Sequence, residues 1–306
     1  MSTHADAGAA SAARPPATVA RTRTYIWSVR REVWENRALW IAPLAAAGFV
    51  LFGFAISLVR KPHALQNLSK MPAPMQTAFH MIPYGIAAVA IALTTAVVAV
   101  FYCLGALYNE RRDRSILFWK SMPVSDATTV LAKASVPLAV LPLIALIAIC
   151  ATQLVMLLLS AAAALAGTPG STPLWASVPL LRMWMLLFYA LVTLTLWQAP
   201  IYGWLLAISA WARRGPLLWA ILPPFAICVV EKLAFDTSYF ASFLKYRLHG
   251  GFGEPFDFFA SHKMSFRLPE PDPVKFFSSP GLWLGLAAAA GLFALAVWLR
   301  RRREPL

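Results

Sequence analysis

Six stretches of the sequence are long and apolar enough to cross a bilayer, and they constrain the fold more than any other feature. They cover about residues 38–59, 82–108, 129–166, 183–211, 217–235 and 281–299. A membrane-spanning helix needs roughly 20 predominantly apolar residues, because it rises about 1.5 Å per residue through about 30 Å of hydrocarbon. None of the six shows the alternation of polar and apolar residues that a membrane-barrel strand requires. We therefore predict an all-α, polytopic membrane protein with six transmembrane helices.

The composition excludes a soluble globular protein. Of the 306 residues, 59% are hydrophobic and 13% are charged, whereas soluble domains have roughly 25% charged and about 45–50% apolar residues. Cys103, Cys150 and Cys228 lie inside apolar runs, which favours buried hydrophobic side chains over a redox or zinc site. The sequence has no G-x-x-x-x-G-K-[ST] loop that could hold phosphates. We therefore expect this chain to be no enzyme, and to bind neither a cofactor nor a metal.

The excess of basic residues indicates how the spans are oriented. The chain has 27 Lys+Arg and 13 Asp+Glu residues, a formal net charge of +14. In a soluble protein this excess would suggest nucleic-acid binding, but in a membrane protein basic residues hold loops on the cytoplasmic side. They are most frequent on the side that contains both ends of the chain and the link between the second and third spans. We expect both termini in the cytoplasm and no nucleic-acid partner.

The residues before the first span divide into two segments. Residues 1–22 are rich in Ala, Ser, Thr and Pro, and we predict a disordered cytoplasmic tail followed by a single transmembrane domain over residues 23–306. At helical spacing, residues 25–37 have an apolar side and a charged side. The apolar side contains Ile26, Val29, Val33 and Trp34, and the charged side contains Arg30, Arg31 and Glu35. This pattern predicts an amphipathic helix in the headgroup layer. A simple positively charged anchor is an equally good interpretation.

The prolines inside the spans predict where the helices bend. The third span is too long for one perpendicular crossing, so it must tilt or project from the bilayer. Its Pro137 and Pro142 mark the expected bend, since proline interrupts the helical hydrogen bonds. Pro200 in the fourth span and the pair at 223–224 in the fifth predict kinks for the same reason.

The link between the second and third spans has the most informative local pattern. A charged start is followed by an apolar cluster and then by a proline, in the order Glu110, Arg111, Arg112, Asp113, Arg114, Ile116, Leu117, Phe118, Trp119 and Pro123. This order predicts a short surface helix over about residues 110–123, with Ser125 and Asp126 capping the third span. An exposed apolar cluster is unfavourable unless it contacts the bilayer or another protein. The mixed charges favour a protein partner, and a loop lying on the membrane is the alternative.

This link carries a resemblance to a known family. Residues 108–115 (YNERRDRS) and 122–125 (MPVS) resemble the link after the second helix in permease subunits of type-2 (ABC-2) ATP-binding-cassette exporters. The resemblance extends over nearly the whole chain, from the amphipathic helix through the six spans to a longest external loop over about residues 236–279. It implies that the link is a coupling helix and that the external loop contains re-entrant helices. The commoner form of the motif has a glycine-threonine pair in place of Arg114 and Ser115, which leaves the subfamily open.

The resemblance also implies a function and a set of partners. The chain would be the permease subunit of an ATP-driven exporter in the bacterial inner membrane, and residues 110–123 would dock on an ATPase subunit. Two copies of that ATPase would bind the ATP and magnesium, and a second permease, either a copy or a paralogue, would complete the transport route. The first, second and fifth spans would line that route. Because the spans offer mainly apolar side chains, we expect an amphipathic, lipid-like, peptide or drug-like cargo.

A few side chains are candidates for a gate or for contacts with the cargo. Glu231 and Lys232 lie near the external end of the fifth span, where they form either an interfacial pair or part of the translocation path. Gln153 and Gln198 are lone amides in spans, which more often form hydrogen bonds between helices than bind cargo. The external loop is rich in phenylalanine, and its candidates for structural capping or for a hydrophobic exit are Phe256, Phe258 and Phe259.

Two other classes of protein stay open at this point. A secondary transporter or channel would normally show buried charges or an internal repeat with broken helices, and we find neither pattern in the sequence. A membrane enzyme or a non-transporting assembly factor is the other alternative, but no catalytic constellation is evident.

Overall fold

The computed structural model describes residues 21–60, 73–115, 124–166, 178–253, 255 and 270–302. These residues form helices and short connections, and no strand occurs among them. In chain order the helices are α1 (Arg21–Glu35), α2 (Ala38–Arg60), α3 (Ala73–Ala106), α4 (Tyr108–Arg112), α5 (Asp126–Ser135), a π-helical segment (Val136–Val140), α6 (Leu141–Leu165), α7 (Leu180–Trp211), α8 (Pro216–Phe235), α9 (Tyr239–Gly253), α10 (Pro273–Ser278) and α11 (Pro280–Arg302).

The prediction of an all-helical chain with six long apolar helices is confirmed. Within the described ranges, six helical stretches are long and apolar enough to cross a membrane, namely Ala38–Val59, Phe79–Arg112, Asp126–Leu165, Leu180–Trp211, Pro216–Phe235 and Pro280–Arg302. They indicate a multi-pass membrane protein. The second span was predicted to start at residue 82, whereas α3 begins at Ala73. The first residues of α3 are more polar, so the apolar run in the sequence does not include them.

The third span changes its helical geometry at the predicted bend. The π-helical segment Val136–Val140 contains Pro137, and Pro142 follows at the start of α6. Proline has no N–H to donate, so a wider turn accommodates it with less disturbance than a regular α-helical turn. The predicted cap is also confirmed, since the Ser125 hydroxyl accepts the Thr128 N–H at 3.1 Å.

The bundle is organised around α7. This helix packs along α11 and also contacts α3, α8 and α9, whereas α2 packs on α3 and α6. Helices α7 and α11 approach closely at Gly203, where a Cβ atom would lie 3.0 Å from Leu292 Cβ. The largest hydrophobic cluster combines buried residues of α3, α5, α7 and α11, including Cys103, Leu206 and Ala296.

Two of the apolar helices leave most of their surface uncovered. All of α8 is described, and Ala220 is its one buried residue, while Phe225, Leu233 and Phe235 are more than half exposed. In α2, Phe49 and Phe52 are 80% and 66% exposed. In a membrane protein such faces contact lipid or another protein.

The segment between α8 and α11 contains two of the shorter helices. Residues of α9 and α10 pack at the Gly281 end of α11, where Trp197 of α7 contacts Tyr246 of α9 and Phe276 of α10 with ring centroids 5.3 and 6.4 Å apart. The Trp197 indole donates to the Arg247 carbonyl at 2.9 Å. This end of the bundle is opposite to the end at which α1 packs on α5.

Candidate functional site

Four buried charged side chains from four different helices meet at one end of the bundle. Glu32 of α1, Glu110 of α4, Lys133 of α5 and Arg300 of α11 are between 2% and 8% exposed. We call these four side chains the ionic cluster, and the end of the bundle that contains them the ionic end.

Lys133 and Arg300 hold both carboxylates of the ionic cluster. The Lys133 Nζ atom lies 2.8 Å from Glu32 Oε1 and 3.1 Å from Glu110 Oε1. Arg300 Nη1 pairs with Glu110 Oε2, and Arg300 Nε donates to Asp126 Oδ1 at 3.1 Å. Two cations and two carboxylates therefore face each other, with one further carboxylate at the edge.

Two more side chains complete the surroundings of Glu32. The Tyr102 hydroxyl of α3 donates to Glu32 Oε2 at 2.9 Å. Arg31 Nη2 lies 3.0 Å from Glu32 Oε1 and 3.7 Å from Glu110 Oε1, and its Nε lies 3.4 Å from Glu35 Oε1. Partial burial raises the pKa of Glu35 above its ordinary value, although Arg31 acts in the opposite direction.

The ionic cluster can exist only because its charges are paired. A buried charge loses its hydration, and removing one partner of a buried pair costs about 3–5 kcal/mol, because the other charge stays buried and uncompensated. Each helix that contributes a charge is therefore held to the others. The cluster joins α1, the start of the link, the start of the third span and the end of the sixth.

A second set of contacts fixes the start of the link to α7. The buried Arg111 Nη1 donates to the carbonyls of Ala210 and Ala212 at 2.7 and 3.1 Å, at the carboxyl end of α7. A cation is favourable there because it lies next to the negative end of the helix dipole. The Ser209 hydroxyl accepts the N–H groups of Leu107 and Tyr108 at 3.0 and 2.9 Å, at the break between α3 and α4.

The predicted single helix over residues 110–123 is interrupted near its start. Helix α4 ends at Arg112, and Arg114 has a positive φ of 56°, which lies outside the right-handed helical region. The interruption coincides with the change from the buried Glu110 and Arg111 to the exposed residues 112–114. Of the residues predicted to couple to an ATPase, these two are buried, whereas Arg112, Asp113 and Arg114 are exposed. The others lie outside the described residues, namely Ile116, Leu117, Phe118, Trp119 and Pro123.

Glu231, a candidate for a gate, binds the amino end of α9. Its Oε1 atom accepts the Tyr239 N–H at 2.6 Å and the Thr237 hydroxyl at 3.1 Å, and its Oε2 atom accepts the Phe240 N–H at 2.9 Å. A carboxylate that accepts N–H groups at a helix start is a capping group. Lys232 pairs separately with Asp236 at 2.6 Å.

The predictions for the two glutamines and for the three phenylalanines of the external loop have different outcomes. The predicted hydrogen bond between helices is confirmed for Gln153, which donates to the Tyr84 carbonyl at 3.1 Å and accepts the Trp184 indole N–H at 2.8 Å. Gln198 is half-buried on α7, and its role stays a prediction. The three candidates of the external loop lie outside the described residues, namely Phe256, Phe258 and Phe259.

Sequence reasoning missed most of the ionic cluster. Glu32 belongs to a helix whose predicted charged side comprises Arg30, Arg31 and Glu35, and Arg300 starts a basic run whose members look alike in the sequence. Lys133 is the one basic residue inside the third apolar stretch, and this is the sequence signal that could have revealed a buried ion pair there. Its partners Glu32 and Glu110 lie 101 and 23 positions before it in the chain, so no local sequence pattern connects them to Lys133.

Comparison of the chain with protein-family models, with curated protein sequences and with solved structures finds no match. The function therefore has to be inferred from the residues of the chain itself. Their arrangement makes the first turn of the link a fixed part of the bundle, followed immediately by an exposed charged turn.

Proposed function

We propose that the chain is the membrane-spanning permease subunit of an ATP-driven exporter of the ABC-2 type. The observation that carries the proposal is the attachment of the link to the bundle. Glu110 connects α4 to α5 and α11 through Lys133 and Arg300, and Lys133 extends the connection to Glu32 of α1. A force applied to the exposed part of the link would therefore reach three further helices at once.

The ionic end would face the cytoplasm of a bacterium, with both chain termini on that side of the inner membrane. The exposed basic residues near this end support the orientation, among them Arg213, Arg214 and Arg302. An ATPase in two copies, with its own ATP and magnesium, would contact the exposed turn after α4. The apolar cluster over residues 116–119 would dock into that subunit.

A second permease, either a copy or a paralogue, would cover part of the apolar surface that α2 and α8 expose. The route for the cargo would lie between the two permeases, lined by the first, second and fifth spans. Such a route would be apolar and aromatic, which suits an amphipathic cargo such as a lipid, a peptide or a drug. In this arrangement α9 and α10 would be the external re-entrant helices.

Co-purification tests the proposal. The tagged full chain, extracted from its native membrane in mild detergent, should retain an ATPase subunit in a one-to-one ratio. Replacing the apolar cluster by charges (Phe118→Glu with Trp119→Glu) should abolish retention of that subunit, whereas the matched variant Phe118→Leu with Trp119→Phe should keep it. Retention by the charged variant would contradict docking at the link.

Transport in vesicles distinguishes the alternatives. If the chain were a secondary transporter or channel, the purified chain alone would move solute without ATP, either down its gradient or driven by an ion gradient. A non-transporting assembly factor would move no solute with or without ATP. The proposal requires transport that appears only when the ATPase and ATP are both present.

A further inference from the structure

The outward surface of α1 has a regular alternation of arginine and tryptophan. Arg23, Trp27, Arg30 and Trp34 recur at spacings of four, three and four residues, which places them on one face of the helix. All four are exposed, and Trp27 and Trp34 are 55% and 67% exposed. We call this face the Arg–Trp surface.

Arg30 is the centre of the Arg–Trp surface. Its guanidinium carbon lies 5.2 Å from the ring centroid of Trp27 and 4.7 Å from that of Trp34. Both distances are within the range of cation–π contacts, which involve the ring faces, and the exposed Arg30 side chain remains accessible to a ligand. A planar, positioned guanidinium is well suited to bind phosphate with two parallel hydrogen bonds.

The acidic side chains of α1 are kept away from this surface, with one exception at its edge. Glu32 is 2% exposed and belongs to the ionic cluster. Glu35 lines a shallow cleft of about 370 Å³ together with the two tryptophans, Arg30 and Arg31. Because Glu35 lies 3.4 Å from Arg31, its charge is opposed there, and the exposed face as a whole is cationic.

The position of α1 favours a lipid surface over an acidic protein as the partner. Helix α1 ends at Glu35, and α2, the first apolar helix, begins three residues later at Ala38. Trp40 and Ile41 at the start of α2 are 42% and 47% exposed, so the apolar surface continues from α1 into the spanning helix. Exposed tryptophans beside the end of a spanning helix are typical of the headgroup layer.

We propose that the Arg–Trp surface binds the headgroups of anionic phospholipids and that Arg31 transmits their binding to the link. Arg31 lines the cleft and also lies 3.7 Å from Glu110 Oε1, farther than the 3.0 Å that separate it from Glu32 Oε1. An anionic headgroup in the cleft competes with Glu110 for this guanidinium. Lipid binding therefore loosens one contact of α4. The lipid surface itself requires no ATPase, so it can be tested whether or not the proposed function holds.

Lipid retention by the purified full chain tests the surface. The chain is equilibrated with equimolar phosphatidylglycerol and phosphatidylcholine, and native mass spectrometry counts the lipids that stay bound. We expect a preference for phosphatidylglycerol that Arg30→Gln lowers about fivefold, the effect of one arginine near an anionic surface. The matched control is Arg302→Gln, because Arg302 lies 4.4 Å from the ring of a single tryptophan, Trp298, on another helix. This control should keep the preference.

Three outcomes would overturn the lipid surface. They are the absence of any preference in the unchanged chain, an equal loss in both variants, and displacement of phosphatidylglycerol by millimolar inorganic phosphate. The last result would show a site for free anions in place of a membrane surface.

Hydrogen exchange tests the transmission through Arg31. Exchange at the amides of α4 should be faster in phosphatidylglycerol nanodiscs than in phosphatidylcholine nanodiscs, and Arg30→Gln should remove the difference. Equal exchange in the two lipids, in a chain that does retain phosphatidylglycerol, would overturn the transmission.

Discussion

Lys133 is the residue on which the ionic cluster most depends. Its Nζ atom is within 3.1 Å of carboxylate oxygens on both Glu32 and Glu110, which lie 78 positions apart in the chain. A lysine stem can pack against apolar neighbours while its charge reaches the partners. One side chain therefore connects the helix before the first span to the link after the second.

Removing the charge of Lys133 should destabilise the protein strongly. The variant Lys133→Met leaves two buried carboxylates without their shared cation, and we expect a loss of about 3–5 kcal/mol in the free energy of unfolding. Denaturation of the purified protein in detergent measures it. In the double variant with Glu32→Gln the loss should be smaller than in the single variant. Additive losses would contradict direct pairing of the two side chains.

Arg247 is a buried cation at the opposite end of the bundle, and its guanidinium is only partly hydrogen-bonded within the described residues. It is 7% exposed, its guanidinium carbon lies 4.7 Å from the Trp197 ring, and Nη1 donates to the Gly281 carbonyl at 3.0 Å. Its Nε and Nη2 atoms have no hydrogen-bond partner among the described residues. Burial lowers the pKa of Arg247 below its ordinary value. The side chain is accommodated because residue 285 is a glycine.

A methyl group at position 285 should displace Arg247. A Cβ atom there would overlap the guanidinium, which would have to move and lose its hydrogen bond to the Gly281 carbonyl, so Gly285→Ala should lower the free energy of unfolding by about 1 kcal/mol. Gly291→Ala on the same helix is the matched control, because a Cβ at position 291 has no neighbour within 4 Å among the described residues. In a protein that already carries Arg247→Met, the substitution Gly285→Ala should not lower the free energy of unfolding. Equal effects of both glycine substitutions on the melting temperature would refute the overlap.

At the scale of the elements, the sequence predicts the helices and their ends correctly wherever these depend on neighbouring residues in the chain. The six spans follow from the length of their apolar runs, and the start of α5 follows from the preference of Ser125 for a helix cap. The π-helical segment coincides with a proline for a similar local reason. The break after Arg112 was not predictable, because it follows the buried Glu110 and Arg111, and their partners come from other helices.

The start of α9 provides a test of the two roles considered for Glu231. As a cap, Glu231→Gln should increase hydrogen exchange at the amides of Tyr239 and Phe240, with a local loss of about 1–2 kcal/mol. As a gate, the same variant would alter transport and leave these amides protected. Lys232→Gln is the control, because its partner Asp236 is exposed and precedes α9.

At the scale of the whole molecule, the candidate site was only partly accessible from the sequence. The link was recognisable from the order of its charged and apolar residues. Its attachment to the bundle was not, because the ionic cluster unites residues from positions 32 to 300 that approach each other only after the helices have packed. The same packing leaves α2 and α8 largely uncovered, so these faces contact lipid or another protein.

In the proposed function, the ionic cluster converts movement of the link into movement of the spans. The variant Glu110→Gln, reconstituted with the proposed ATPase in proteoliposomes, tests this coupling when ATP hydrolysis and movement of a fluorescent phospholipid are measured in the same vesicles. We expect hydrolysis to continue while phospholipid movement falls about tenfold, within the range of ordinary coupling energies. Unchanged phospholipid movement per ATP hydrolysed would contradict the claim.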